Sequence, residues 1–240
     1  MVEDYTVTKR PVGVAPKPKI SINQLTDFIA STDAGKQRII KGQKYPKANA
    51  IPISYYRVSN AALSRCILND FDMEIIRDVI DSQRSLKIDP TNKQALTKRA
   101  NQVSALENFL TMGFPKLFAD RKFTFASSPR NFRRFELRDV TVIVSPDILI
   151  RWMKDGQKYI GAIKFDIHKD PLDFTIGSQR AALLAYFLDK MKAEDEIVDE
   201  RYCMSVDVRN HNIFRPLNVK GTMPVLEKGC VEVAEMWRVA

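Results

Sequence analysis

Residues 140–190 constrain the fold of this chain more tightly than any other stretch, because three kinds of signal follow one another without a gap. Val140 to Val144 is a β-branched run, and Tyr159 to Ile167 is a second apolar run. Both favour strands. Between them Lys154-Asp155-Gly156-Gln157 carries Asp-Gly, a strong hairpin turn signal. A helical pattern of 17 residues, 176–192, comes next, and a strand is expected at 201–208. Preceded by a long helix expected at 93–112 and by the phenylalanine-rich segment 123–135, this order predicts an α/β layer around one mixed sheet.

Isolated charges stand inside those apolar runs. Asp147, Lys164 and Asp166 occupy positions where uncharged residues would pack at lower cost. An ion taken into a strand interior costs several kcal/mol unless it is paired or binds a metal. Strand alternation puts Ala162, Lys164 and Asp166 on one face and Gly161, Ile163, Phe165 and Ile167 on the other, apolar face. Lys164 and Asp166 then lie about 7 Å apart along the strand. Asp147 follows Pro146, which interrupts the ladder, so a strand end or bulge can aim it across the hairpin. Two carboxylates and a lysine so placed suit a metal-dependent phosphodiester site. Mg²⁺ or Mn²⁺ would be held by Asp147 and Asp166, and Lys164 would stabilise developing charge. The structural alternative is that Asp147 caps a turn while Lys164 pairs with Asp166 or reaches out of an edge strand.

Charge by segment agrees with a polyanion partner. Residues 1–60 hold 10 Lys/Arg against 4 Asp/Glu, and residues 115–138 hold 7 against 2, including Arg130, Arg133 and Arg134. Residues 139–200 hold 8 against 12. Basic flanks would hold a phosphate backbone and the acidic centre a metal; a solvated basic surface without a ligand is the bland alternative. Three scattered cysteines, Cys66, Cys203 and Cys230, form no C-x-x-C, which fits a reducing cytoplasm and argues against a disulfide framework or a zinc site. No apolar run approaches the roughly 20 residues of a membrane helix, so no membrane association is expected. The N-terminus carries no apolar signal region. Without G-x-x-x-x-G-K-[ST], G-x-G-x-x-G or G-x-S-x-G, NTP hydrolysis, dinucleotide chemistry and esterase chemistry lack support.

Four regions are expected. Residues 1–19 form a basic, Pro-rich arm, and 20–92 a helical lobe opened by the N-cap Ser21. Residues 93–210 form the α/β core, and 211–240 C-terminal strands, with strand-like runs at 212–217 and 230–238.

Pro146-Asp147, a hairpin, Ala162-Ile163-Lys164 on an apolar strand and a Gln-bearing helix resemble the PD-(D/E)xK nuclease superfamily. The likeness is nearest to its RecB-like branch and to nucleases of phage-defence systems, and it covers roughly residues 93–210. Ser21 to Leu25 with Phe28 is also similar to the opening helix of RecB-like domains. The resemblance implies a restriction-endonuclease-like core, a Mg²⁺ or Mn²⁺ cofactor and hydrolysis of DNA, with DNA favoured over RNA. Asp147 would be the first metal carboxylate, Lys164 the catalytic lysine and Glu107 the acid on the preceding helix. Gln179 and Tyr186 would correspond to the motif that orients DNA. A nuclease domain of this size without its own translocase often works beside a partner subunit.

The chain departs from that pattern twice. Ala162 stands where the family has Glu or Asp, and Asp166, two residues on and on the same strand face, is the candidate replacement. Gln179 and Tyr186 are seven apart rather than four, so with Leu183 they share a helix face without reproducing the motif. The alternative function is a nuclease-fold module that has lost catalysis and binds nucleic acid or a partner protein. Arg180 is placed either to clasp a phosphate or to pair with an acid such as Asp173. His168 and His211 read as turn residues, and Glu107 reads from its helix neighbours as solvent-facing.

Overall fold

The computed structural model describes residues 15, 17–46, 56–129, 132–167 and 171–240. The first half of the chain is helical: β1 (Lys19–Ser21), α1 (Ile22–Ile29), α2 (Asp33–Lys44), α3 (Arg57–Leu68), α4 (Glu74–Ser85) and α5 (Lys93–Thr111). A short 3-10 helix (Phe114–Phe118) leads to β2 (Thr124–Ser127), β3 (Arg134–Leu137), β4 (Val140–Ile143), β5 (Ile148–Lys154) and β6 (Gln157–Asp166). Then come α6 (Phe174–Met191), β7 (Glu196–Asp207), β8 (Asn212–Phe214) and α7 (Val219–Val239). No helix among the described residues is long and apolar enough to cross a membrane.

Five strands make the main sheet in the order β2-β5-β6-β7-β8. The β5–β6 hairpin closes on Asp155 (φ 50°) and Gly156 (φ 76°), with Lys154 opposite Gln157. Two left-handed residues match the mirror-image turns that follow strand twist. α6 carries the chain from β6 across to β7, which runs parallel to β6; the other pairings are antiparallel. A second sheet, β1-β4-β3, has three strands.

Side-chain alternation divides the core in two. Leu149, Ile160, Ala162 and Cys203 pack with α1, α6, α7 and the small sheet, on what we call the inner face. Ile148, Ile150, Ile163, Phe165, Met204 and Val206 pack with α3, α4, α5 and the 3-10 helix, on the outer face. The apolar face expected for Ile163 and Phe165 is therefore the one covered by α5.

Three expectations are corrected. Residues 20–92 do not form one lobe: α1 and α2 lie on the inner face and α3 and α4 on the outer face. The one mixed sheet expected is divided into two, since the chain leaves the small sheet after Ile143 and enters the large one at Ile148. Residues 230–238 belong to a helix. Their valines favour strands, but buried Leu226, Cys230, Val233, Ala234 and Trp237 recur at helical spacing, and that stripe decides the outcome by packing against α1 and α6.

Candidate functional site

The break between β4 and β5 shapes the site. Ser145 adopts φ 44°, and the Val144 and Ser145 amides both donate to the Arg133 carbonyl, at 2.8 and 3.0 Å. The chain then turns at Pro146, and the Asp147 amide joins the Ile163 carbonyl at 2.9 Å. That bond sets Asp147 beside the end of β6. One carboxylate oxygen, Oδ2, accepts from Lys164 Nζ at 3.0 Å and from the Phe165 amide at 2.8 Å. Lys164 Nζ also donates to the Ser145 carbonyl at 3.0 Å. The two side chains keep 18% and 16% exposure, so the pair is open on one side. Among the described residues nothing donates to Asp147 Oδ1.

Asp166 does not join this pair. It is 1% exposed and accepts from Arg180 Nη1 at 2.9 Å, Asn23 Nδ2 at 2.6 Å and Ser205 Oγ at 2.8 Å. A carboxylate with three donors inside the protein has its charge and lone pairs already answered. The expected role of Asp166 as a catalytic and metal-binding carboxylate is thus replaced by a structural one. Arg180 is corrected with it. Its side chain is 0% exposed, so it reaches no phosphate, and it joins Thr26 Oγ1 at 2.9 Å and Asp27 at 2.7 Å. Asp173, the partner weighed for it, instead caps α6 through the Thr175 and Ile176 amides.

Glu107 is also apart. It pairs with Arg84, keeps 44% exposure, and stands on α5 against the outer face, whereas Lys164 and Asp166 belong to the inner face. Gln179 is half-buried on α6, and its side chain hydrogen-bonds to none of the described residues. Tyr186 packs on Phe135 with ring centroids 5.8 Å apart. Arg133 and Arg134 are exposed and make no ion pair among the described residues. The Arg133 carbonyl bonds place this basic run beside the Asp147 turn. Arg130 and His168 lie outside the described residues. His211 sits in a turn with φ 57°.

Two features escaped the sequence reading. Asp207, 0% exposed, lies beside Asp166 in register and accepts from the Leu172 amide at 3.0 Å and from the Asn210 side chain. Among the described residues, buried Asn23 Oδ1 and Arg209 Nη1 meet no hydrogen-bond partner. A buried acid in an Asp-x-x-Asn turn is a detectable signal for the first; nothing local marks the second.

The residues present do not fit a two-carboxylate metal ion. Asp147 supplies one ligand, Ala162 supplies none, and Asp166 is occupied. Among the described residues no group of three His, Cys, Asp or Glu side chains is placed to hold a metal. No family model matches the chain, and no curated protein is significantly similar to it.

Proposed function

We propose that this chain is a nucleic-acid-binding module on a nuclease-like core whose cleavage centre is one carboxylate short. Support for the core comes from connectivity. Apart from the β3–β4 excursion, α5, the antiparallel meander β2-β5-β6, the crossover α6 and parallel β7 follow the helix, three strands, helix, strand order of the PD-(D/E)xK superfamily. The observation that carries the reading is the Asp147–Lys164 pair at 3.0 Å with exposed Arg133 and Arg134 beside it, while Asp166 is neutralised by Arg180. Cations at the rim meet phosphates, and the single carboxylate leaves an ion weakly held.

Binding measured by anisotropy with duplex and single-stranded DNA, across roughly 50 to 200 mM salt, tests this. The expected result is binding that weakens steeply with salt and no cleavage in Mg²⁺ or Mn²⁺. Cleavage abolished by Asp147→Ala and by Lys164→Ala would instead establish the second reading, a metal-dependent deoxyribonuclease. The adjacency of Asp147 and Lys164 and the open Oδ1 favour that reading. No binding at low salt would leave an interaction protein.

A further inference from the structure

An open cleft of about 370 Å³ lies on the inner face at the hairpin end of the main sheet, roughly 13–20 Å along β5 from Asp147. Two rows of side chains build it. Thr124 and Arg151 face each other across β2 and β5. Met153, Lys158 and Glu196 follow one another across β5, β6 and β7. Strand alternation sets both rows on the same face as Leu149. Lys122 closes the side at β2, the edge strand of the sheet. The described lining residues all belong to strands or to the segment before β2, so the helices packed on this face stop short of the cleft.

Arg151 is fixed from beneath. Its Nε donates to Glu196 Oε1 at 2.6 Å, and Glu196 Oε2 accepts from the Ala193 amide at 3.1 Å. Both carboxylate oxygens are thereby engaged, and the Glu196 side chain is 8% exposed. Burying an acid is costly unless it is paired, and here the pairing holds an arginine that keeps 42% exposure. A guanidinium offers five N–H groups. Nε uses one, and the two Nη groups hydrogen-bond to none of the described residues. The exposed Thr124 hydroxyl and the exposed Lys122 ammonium likewise meet no partner among the described residues. Lys158 pairs with Asp195 at 2.6 Å on the rim, and exposed Met153 supplies an apolar wall.

We propose that this cleft binds a small phosphate monoester, its phosphate gripped by the Arg151 Nη groups, the Thr124 hydroxyl and Lys122, and its body resting against Met153. The site is separate from the Asp147–Lys164 pair and does not depend on the nucleic-acid reading above. A fork, a hydroxyl and an ammonium from three side chains suit the three terminal oxygens of a monoester. A carboxylate has only two oxygens, which the fork alone would satisfy. A monoester also carries about 1.5 to 2 negative charges at pH 7. The lining and rim are net positive, with Lys122, Arg151 and Lys158 against Glu196 and Asp195. The volume falls within the range of small-molecule pockets, about 300–1,000 Å³. Because Glu196 already fixes the guanidinium, little side-chain freedom is lost on binding.

Isothermal titration calorimetry on the full chain at low ionic strength, with AMP, inorganic phosphate, adenosine and succinate as probes, tests it. AMP and inorganic phosphate should bind, adenosine should not, and succinate should bind more weakly than inorganic phosphate. Arg151→Met is expected to weaken AMP by roughly 10- to 150-fold, the worth of one charge-assisted hydrogen bond. That change also strips Glu196 of its partner, so a second variant, Lys122→Ala with Thr124→Val, alters exposed side chains only. It should weaken AMP by roughly 3- to 50-fold with an unchanged melting temperature. Equal binding of AMP and adenosine, succinate as tight as inorganic phosphate, or full AMP affinity in the double variant would overturn the proposal. A matching loss of duplex DNA binding in the double variant would overturn it too, by making the cleft part of a nucleic-acid surface. Loss of AMP binding in Lys164→Ala would place the ligand at the Asp147 turn instead. No binding of AMP or inorganic phosphate to the wild-type protein would refute the site outright and leave the nucleic-acid reading standing.

Discussion

Arg180 and Asp166 meet at 2.9 Å with both side chains sealed from solvent. Removing one partner of such a pair leaves the other charge buried and unanswered, which is strongly destabilising. Arg180→Met should therefore lower unfolding stability by about 3–5 kcal/mol in urea titrations, and Arg180→Met with Asp166→Leu should recover most of that loss. Asp27, the outer acid on Arg180, keeps 44% exposure, so Asp27→Ala should change stability by about 1 kcal/mol or less. An Arg180→Met loss no larger than that would refute the structural role given to the pair.

Ala162 tests the missing carboxylate. It is 0% exposed, between Leu149 and Cys203 in the ladder. Ala162→Glu should lower the melting temperature in the absence of metal, because the new acid has no partner in the core. Mn²⁺ should then restore stability, by about 2.7 kcal/mol at one hundred times its dissociation constant. Asp147→Ala in that background should remove the restoration. The wild-type melting temperature should not respond to Mn²⁺, and a rise would contradict an incomplete centre.

Arg133→Ala and Arg134→Ala should weaken binding whatever the base sequence. If each side chain neutralises one phosphate, the slope of log affinity against log salt should fall by about 0.9 per substitution on duplex DNA, or about 0.7 on a single strand. A titration series in salt for each variant measures this, and an unchanged slope would place the contact elsewhere.

The cysteines report on the two halves of the core. Burial pushes the Cys66 thiol from 9.0 to about 11 and Cys230 to about 12, each raised further by a nearby acid, Asp72 or Glu227. Cys203 is raised higher still by burial. Below pH 9 these thiols are neutral in both states. Above it the unfolded chain releases protons that the folded chain retains, so the thiols' contribution to stability is present at low pH and is lost as pH rises from about 9 toward 12. Urea midpoints should fall across that window. Thiol labelling near neutral pH should require denaturant, and rapid labelling of the native protein would show that the core is open.

The hairpin and the crossover helix were legible because their signals are local: Asp155-Gly156 dictates the turn, and the apolar stretch after Ser178 has the helical period. The position of Asp147 beside Lys164 follows from the same turn. What stayed hidden depends on distance along the chain. Nothing near Asp166 announces Asn23, which comes from the opening helix to donate to it at 2.6 Å. Arg180 did carry a usable sign, since an arginine leading straight into the apolar run Ala181 to Leu188 demands a buried acid. The valines of 230–238 misled because their β preference is weaker than the packing of the helical stripe to which Val233 and Trp237 belong.

The parallel pairing of β1 with β4 joins Lys19 to Thr141 and Ser21 to Ile143. During synthesis at about 5–20 residues per second, β1 therefore waits roughly 6–25 s for its partner to be made. α1, which follows β1 directly and supplies Asn23, waits longer still for Asp166. The inner face is therefore among the last parts of the molecule to close, and the hairpin bearing Asp147 and Lys164 emerges from the ribosome before the helices that will cover its neighbours. A nascent chain stalled beyond Asp166 but short of α6 would expose Ile160 and Ala162 to solvent, and at that stage holdase chaperones would find their largest apolar target.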